Sequence, residues 1–346
     1  MATPSHILVF RFSALGDVAM TVPVIELLLE QYPHLHITYV STAFVAPLFT
    51  GIDRLIFHVV EPKGRHKGIA GIYSLKKELQ QSRFDGIADL HNVLRTKMLR
   101  GFFLLSGKKT AVIDKGRKEK AELTRIKGKV LRPLKSTFQR YADVFGELGL
   151  PINLDGSIAL QITPLADNLG EPKAAGKRLI GIAPFAKHAE KTYPSEKMQE
   201  VISLLTKEPD LHLYLFGGKE DVVTLNRWAA DSQQITSVAG TMSFTEELDL
   251  ISRLDLMVSM DSANMHLASF LRVPVVSIWG STHQYAGFYG WRQDPKNIVQ
   301  VDLYCRPCSV FGNRKCYRGD LACLHSINPI MVYDRIMQVL YRQESV

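Results

Sequence analysis

A chain of 346 residues exceeds the usual size of one compact domain, so two domains of about 150 to 200 residues each are expected. An apolar share of 46% against 22% charged residues excludes bulk disorder, and apolar runs such as residues 275–279 are far shorter than the roughly 18 residues of a bilayer span. The net charge of +8 is entirely local: residues 108–135 carry 11 Lys or Arg against 3 Asp or Glu, and the remainder balances at 31 of each sign. Such an excess points to an anionic partner meeting one segment.

The start, Met1-Ala2-Thr3-Pro4-Ser5-His6, runs straight into the strand-like Ile7-Leu8-Val9-Phe10. It lacks the basic stretch, apolar core and cleavage site of a secretory leader, which predicts a cytoplasmic protein. From there short β-rich runs alternate with longer amphipathic stretches, the pattern of parallel sheets with helical crossovers. The predicted strands are 6–11, 36–40, 55–59, 85–90, 109–113 and 157–162, with helices over 17–31, 74–82, 94–105 and 137–149. A polar stretch with Pro164, Gly170 and Pro172 then interrupts the pattern. Strands at 178–184, 212–217, 235–239, 256–260, 274–279 and 298–301 follow, interleaved with helices over 195–207, 220–232, 244–252 and 263–271. A last helix is expected over 328–343, packed on one of the domains. The reading is α/β: an N-terminal Rossmann-like domain over 1–163, a linker over 164–177, a second over 178–327 and a C-terminal helix over 328–346, with a cleft between the domains.

In open parallel sheets, ligands bind beyond the carboxyl ends of the strands, where loops lead into helix N-termini. The first such loop is Arg11-Phe12-Ser13-Ala14-Leu15-Gly16-Asp17. Gly16 permits a tight turn, and Asp17 stands where a helix N-cap is expected. It can equally serve as a general base, held ionised by the helix dipole. The second loop, residues 183–194, carries Lys187 and Lys191 toward a helix capped by Ser195, and a lysine there can neutralise a phosphate. Gly217-Gly218-Lys219-Glu220 follows another strand: paired glycines allow close backbone approach, and Glu220 can accept hydrogen bonds from ribose. Met260-Asp261-Ser262-Ala263-Asn264-Met265-His266 joins a strand to a short helix whose free amides, with the Ser262 hydroxyl, can cradle a diphosphate. No Gly-x-Gly-x-x-Gly follows a strand, and residues 101–108 place five residues between glycines where a P-loop needs four. Dehydrogenase and NTPase readings lose support accordingly.

Phe12-Ser13-Ala14-Leu15-Gly16-Asp17-Val18 with Pro23, the Lys191-Thr192-Tyr193-Pro194 turn, and Asp261-Ser262-x-x-Met265-His266-Leu267-Ala268 before Pro274-Val275-Val276 resemble glycosyltransferase family 9, the bacterial lipopolysaccharide heptosyltransferases and relatives. The resemblance spans residues 6 to about 285 with the motifs in the family's order. Ala263-Asn264 and Tyr193 depart from the family's commoner Gly-Pro or Gly-Leu and Trp. The resemblance implies a GT-B fold, an inverting single displacement and a donor such as ADP-heptose. It makes Asp17 the candidate base, Lys191 the phosphate-binding lysine and Glu220 a ribose contact. Asp261, Ser262 and His266 become the diphosphate loop, with Ser13, Gly16, Lys187, Gly217 and Gly218 beside the donor. No metal is then required, although Mg²⁺ remains compatible with the chemistry.

Within the basic stretch, Lys115, Arg117, Lys118, Lys120, Arg125 and Lys127 are expected to grip a lipid-linked anionic saccharide acceptor or the inner face of the cytoplasmic membrane, at up to about 1 kcal/mol per basic residue. A solvated flexible loop is the plainer alternative. Nucleic acid is disfavoured, because no aromatic residue interleaves with the charges. The four cysteines fall together as Cys305-x2-Cys308-x7-Cys316-x6-Cys323; that spacing suggests either a structural zinc site or free thiols, since disulfides are unusual in a reducing cytoplasm. Two further readings compete with the transferase: another nucleotide-sugar enzyme of the 2-epimerase type, and a catalytically silent protein that docks on anionic lipid.

Overall fold

The computed structural model describes residues 3–104, 107–156 and 176–342. It contains two compact units, one formed by Met1–Lys115 with Lys135–Thr163, the other by Gly116–Leu134 with Pro164–Val346. The strand expected at 157–162 and most of the expected linker lie outside the described residues.

In chain order the first unit holds β1 (His6–Phe10), α1 (Leu15–Ala19), α2 (Val22–Gln31), β2 (His36–Ser41), β3 (Leu55–Val59), α3 (Gly68–Leu79), β4 (Gly86–Asp89), α4 (Leu94–Phe103) and β5 (Lys109–Val112). The segment 116–134 contributes α5 (Arg117–Leu123) to the second unit, after which α6 (Thr137–Glu147) returns to the first. Five parallel strands run in the order β3-β2-β1-β4-β5. The central β1 is apolar along its length, with Ile7, Leu8, Val9 and Phe10 all fully buried, as befits a parallel strand covered by helices on both faces. On α6, Phe138, Tyr141, Ala142, Val144 and Phe145 recur at helical spacing and form its buried face.

The sequence pattern predicts one helix over 17–31, whereas the chain forms two. Thr21 turns its hydroxyl back onto the Val18 carbonyl (2.7 Å), and Pro23 opens α2 within its first two positions. A proline in the middle of a continuous helix would lack the amide that closes the turn and would clash with the preceding one, so the helix restarts there.

The second unit continues with β6 (Arg178–Ala183), α7 (Ser195–Leu205), β7 (Leu211–Leu215), α8 (Val222–Ala229), β8 (Ile235–Ser237), α9 (Phe244–Ser252), β9 (Leu256–Met260), α10 (Ala263–Phe270), β10 (Val275–Ile278), β11 (Ile298–Val299), α11 (Ala322–His325) and α12 (Pro329–Tyr341). Its six parallel strands run β11-β10-β9-β6-β7-β8. The terminal helix α12 belongs to this unit: Val332, Ile336 and Leu340 enter its core with Val201, Leu205 and Val258, and Tyr333 donates to Glu208 Oε1 at 2.6 Å. In both sheets the first strand lies in the middle and the chain winds outward twice, the doubly wound order. The order therefore reverses between β1 and β4 in the first sheet and between β6 and β9 in the second, and loops leaving those strands are where such sheets bind ligands.

Candidate active site

At the switch point of the first unit, the loop after β1 carries Asp17. The expectation that this residue caps the helix shifts by three positions: Ala14 is the N-cap of α1, and Asp17 reaches back from the third helical position to the Ala14 amide (3.3 Å). Its carboxylate is paired at 2.6 Å with Nη2 of Arg11, a buried guanidinium, while the Asp17 side chain remains 30% exposed. Arg11 is fixed in turn by donating to the Leu90 carbonyl (2.7 Å). The Tyr141 hydroxyl, delivered by α6, donates to the Asp17 carbonyl (3.1 Å). One carboxylate oxygen system is thus held by a cation on its inner side and open to solvent on its outer side.

The loop after β4 supplies a second group of polar side chains. Asp89, fully buried at the end of the strand, accepts from the amides of His91 (2.9 Å) and Asn92 (2.7 Å) and pairs with Nε of Arg100 (2.9 Å). His91 accepts from the Phe12 amide through Nδ1 (3.4 Å). Burial, followed by the positive charges of Arg11 and Lys115, lowers its pKa to about 3, so the ring is a neutral acceptor through the physiological range. Arg11, Asp89, His91 and Tyr141 were not singled out from the sequence. A charged residue closing each of two apolar strands, Arg11 after β1 and Asp89 at the end of β4, is the signal that marks this end of the sheet.

In the second unit, the loop after β6 forms a short 3₁₀ turn, Ala189–Lys191. Lys191 reaches to the loop after β9, where its Nζ donates to the main-chain oxygen of Asp261 (2.5 Å) and lies 3.3 Å from the carboxylate. Both side chains are largely covered, at 13% and 9% exposure. Ser262 is the N-cap of α10 in an extended conformation, but its hydroxyl bonds to Ser259 Oγ (2.9 Å) and does not cap the helix. The leading amides of α10 are thereby left to an outside acceptor, beside a lysine, at a helix N-terminus whose partial positive charge favours anions. His266 lies one turn further along, 7% exposed. Lys191, Asp261, Ser262 and His266 are therefore gathered at one switch point.

Of the other expected donor residues, Lys187 is exposed in the loop after β6, Ser13 is exposed in the loop after β1, and Gly16 is half-buried in α1. The Gly217-Gly218 turn follows β7, outside the switch point; a Cβ on Gly217 would stand 2.6 Å from Leu225 and 2.9 Å from Asp221 Cβ, so that glycine answers to local packing, whereas one on Gly218 would meet only the movable end of the exposed Glu220 side chain. Asp221, not Glu220, closes that turn by accepting from the Gly218 amide (2.8 Å), leaving Glu220 exposed. Ser195 is the first residue of α7, preceded by Pro194 as the cap.

The basic stretch is pinned rather than loose, and it packs with the second unit from Gly116 onward. Lys120 is buried with its ammonium 4.2 Å from the centre of the Phe288 ring, Lys129 donates to the carbonyls of Cys305 (2.7 Å) and Pro307 (2.9 Å), and the Leu134 amide donates to Tyr285 (2.9 Å). In the first unit Lys115 donates to Asn92 (3.3 Å). Lys120 and Lys129 are thereby built into the packing of the second unit, and Lys115 into that of the first. Arg117, Lys118, Arg125 and Lys127 stay exposed, beside the exposed Ile126 and Leu131.

All four cysteines are free thiols, with Cys305 and Cys323 buried. Burial pushes the Cys323 thiol up to about 11 and raises Cys308 as well. Among the described residues no group of three or more His, Cys, Asp or Glu side chains is arranged to hold a metal ion. Among the same residues no helix is long and apolar enough to cross a membrane.

Known proteins resemble this chain in sequence and fold. The chain is 23% identical over 284 residues to the lipopolysaccharide core heptosyltransferase OpsX of Haemophilus influenzae, covering 80% of this chain and 79% of that protein. Its fold matches a family 9 glycosyltransferase from Veillonella parvula at a TM-score of 0.75 (21% identity, 98% of both chains). It also matches the E. coli ADP-heptose lipopolysaccharide heptosyltransferase II at 0.68 (19% identity, 99% of this chain and all of the other). The two doubly wound units are those of the GT-B fold. The family model of glycosyltransferase family 9 (heptosyltransferase) matches residues 72–317, which takes in both loops of the second switch point. By that match this chain belongs to glycosyltransferase family 9 and is a glycosyltransferase.

Proposed function

We propose that the chain transfers heptose from ADP-heptose to a lipid-linked saccharide such as the lipopolysaccharide inner core, with inversion at the anomeric carbon. The observation that carries this reading is the pairing of chemistry with topology: a partly exposed carboxylate at the switch point of one sheet, and a lysine beside an uncapped helix N-terminus at the switch point of the other. The named donor and acceptor class of the relatives support the choice of sugar and nucleotide.

In the proposed step the acceptor hydroxyl oxygen attacks the anomeric carbon, its proton passes to the Asp17 carboxylate, and the bond from that carbon to the diphosphate oxygen breaks with the electron pair leaving on the diphosphate. Arg11 orients Asp17. Lys191 and the leading amides of α10 neutralise the charge that grows on the departing diphosphate, and His266, one turn into α10, is proposed to contact the same group. These groups supply the charge the step needs, so we write it without a metal. The exposed cations Arg117, Lys118, Arg125 and Lys127 are proposed to meet the anionic acceptor or the cytoplasmic membrane surface, with the protein working in the cytoplasm as a peripheral enzyme.

The test is release of ADP from ADP-heptose, with and without a lipid-linked core saccharide, in buffer containing EDTA. Acceptor-dependent release supports the reading. Conversion of the nucleotide sugar with no acceptor present identifies an epimerase instead, and absence of any donor binding leaves only a lipid-docking protein.

A further inference from the structure

The cysteine-bearing segment is built against the stem of the phosphate-site lysine. Arg306, 3% exposed, donates to the carbonyls of Gly280 and Val301 (2.5 Å each) and Thr282 (3.1 Å) and to the Gln300 side chain (2.9 Å). The Ser281 carbonyl accepts from the amides of Cys308 (3.0 Å) and Ser309 (3.2 Å), and the Ser281 amide donates to Glu190, the neighbour of Lys191 (3.3 Å). Ser309, fully buried, accepts from the Gly312 amide (2.9 Å). The ring closes on Lys191 itself: a Cβ on Gly312 would stand 2.2 Å from Lys191 Cγ and 2.7 Å from Cδ. Those are mid-stem carbons, so relief would require turning the whole Lys191 side chain and not only its terminal ammonium. Gly312 also has φ +74°, a conformation that side chains avoid.

We propose that Gly312 is a positioning residue: with Ser309 it forms a backbone wall that sets the direction of the Lys191 stem and so holds its ammonium beside Asp261, at the α10 N-terminus where the donor diphosphate is proposed to bind. The proposal rests on Lys191 binding that diphosphate. It gives the segment 306–312 a role in donor binding that is independent of what the thiols do. The wall acts through Lys191, so its effect must vanish when the lysine stem is removed, whereas backbone strain at position 312 must persist.

A double-mutant cycle separates the two. ADP binding by calorimetry and the intrinsic melting temperature are measured for the full-length protein, Lys191→Ala, Gly312→Ala and the double variant. Gly312→Ala is expected to weaken ADP binding at least tenfold when Lys191 is present and less than twofold when residue 191 is Ala, with its melting temperature lowered in both backgrounds. Ser309→Ala provides a second probe without a new side chain and is expected to weaken ADP binding severalfold only when Lys191 is present. Equal effects of Gly312→Ala in both backgrounds, or unchanged ADP affinity for both wall variants, overturn the proposal while leaving the role of Lys191 intact. Unchanged ADP affinity in Lys191→Ala removes the parent reading, and the wall's role with it. If Gly312→Ala does not fold, the Ser309→Ala pair decides by the same criteria.

Discussion

Lowering the pH from 8 to 5 should destabilise this protein through His91, and the size of the loss follows from its surroundings. The ring is 9% exposed, hydrogen-bonded as an acceptor to the Phe12 amide, and its pKa is lowered to about 3 by burial and then by Arg11 and Lys115. In the unfolded chain the value returns to about 6.5. Between those limits the unfolded state binds a proton that the folded state refuses, so stability is fully present above about pH 6.5 and declines as the pH falls toward 3. At pH 5 the gap of about 1.5 units below the unfolded value corresponds to about 2 kcal/mol, or about 4–8 °C in melting temperature for a domain of this size. His91→Gln keeps a hydrogen-bond acceptor but cannot be protonated. Scanning calorimetry at pH 8 and pH 5 should therefore show the variant losing about 2 kcal/mol less than the parent over that interval. His283 in the second unit, lowered to about 4 by burial and Arg306, should respond likewise to His283→Gln and serves as an independent control. Parallel pH dependence of parent and His91→Gln would refute the reasoning, because it would mean the imidazole takes up its proton equally in the folded state.

Asp17→Asn should lower transfer by about 10² to 10⁴-fold while ADP affinity, measured by calorimetry, stays within twofold; loss of ADP binding would place Asp17 in donor recognition instead. Arg11→Met removes the partner of Asp17 and the bond to Leu90, so it should destabilise the protein by about 1 to 3 kcal/mol in urea unfolding and reduce kcat with little change in the KM for donor. Replacing both Arg125 and Lys127 by Glu should weaken sedimentation with anionic phospholipid vesicles, at about 1 kcal/mol per lost cation and more for charge reversal, and raising salt should erase the difference. The matching change Lys120→Glu should instead lower the melting temperature, since that ammonium is packed on Phe288.

Local physics made much of this molecule legible without a structure. The β-rich runs at 36–41 and 211–215, covered at nearly every position, and the apolar face of 137–147 follow from side-chain pattern alone. The loops carrying Asp17, Lys191 and Asp261 could be picked out because each follows an apolar run and opens a helix. Pro23 was visible too, yet the break it causes between α1 and α2 depends on Thr21 turning back on Val18, a competition between side chain and backbone that a periodic pattern does not express.

Composition and spacing thus determined the α/β class, the near-repetition of one architecture in two halves, and the chemistry available at the strand ends. Only tertiary structure decided the strand order that turns those ends into two switch points, the pairing of Arg11 with Asp17, the closure of Lys191 onto Asp261 seventy residues away, and the packing of 116–134 with the later half of the chain. The physical reason is the range of the forces involved. Periodicity is set by neighbours within a helical turn or a pleat, whereas a buried lysine over Phe288 or a glycine against a lysine stem exists only where burial and close packing bring distant segments into contact.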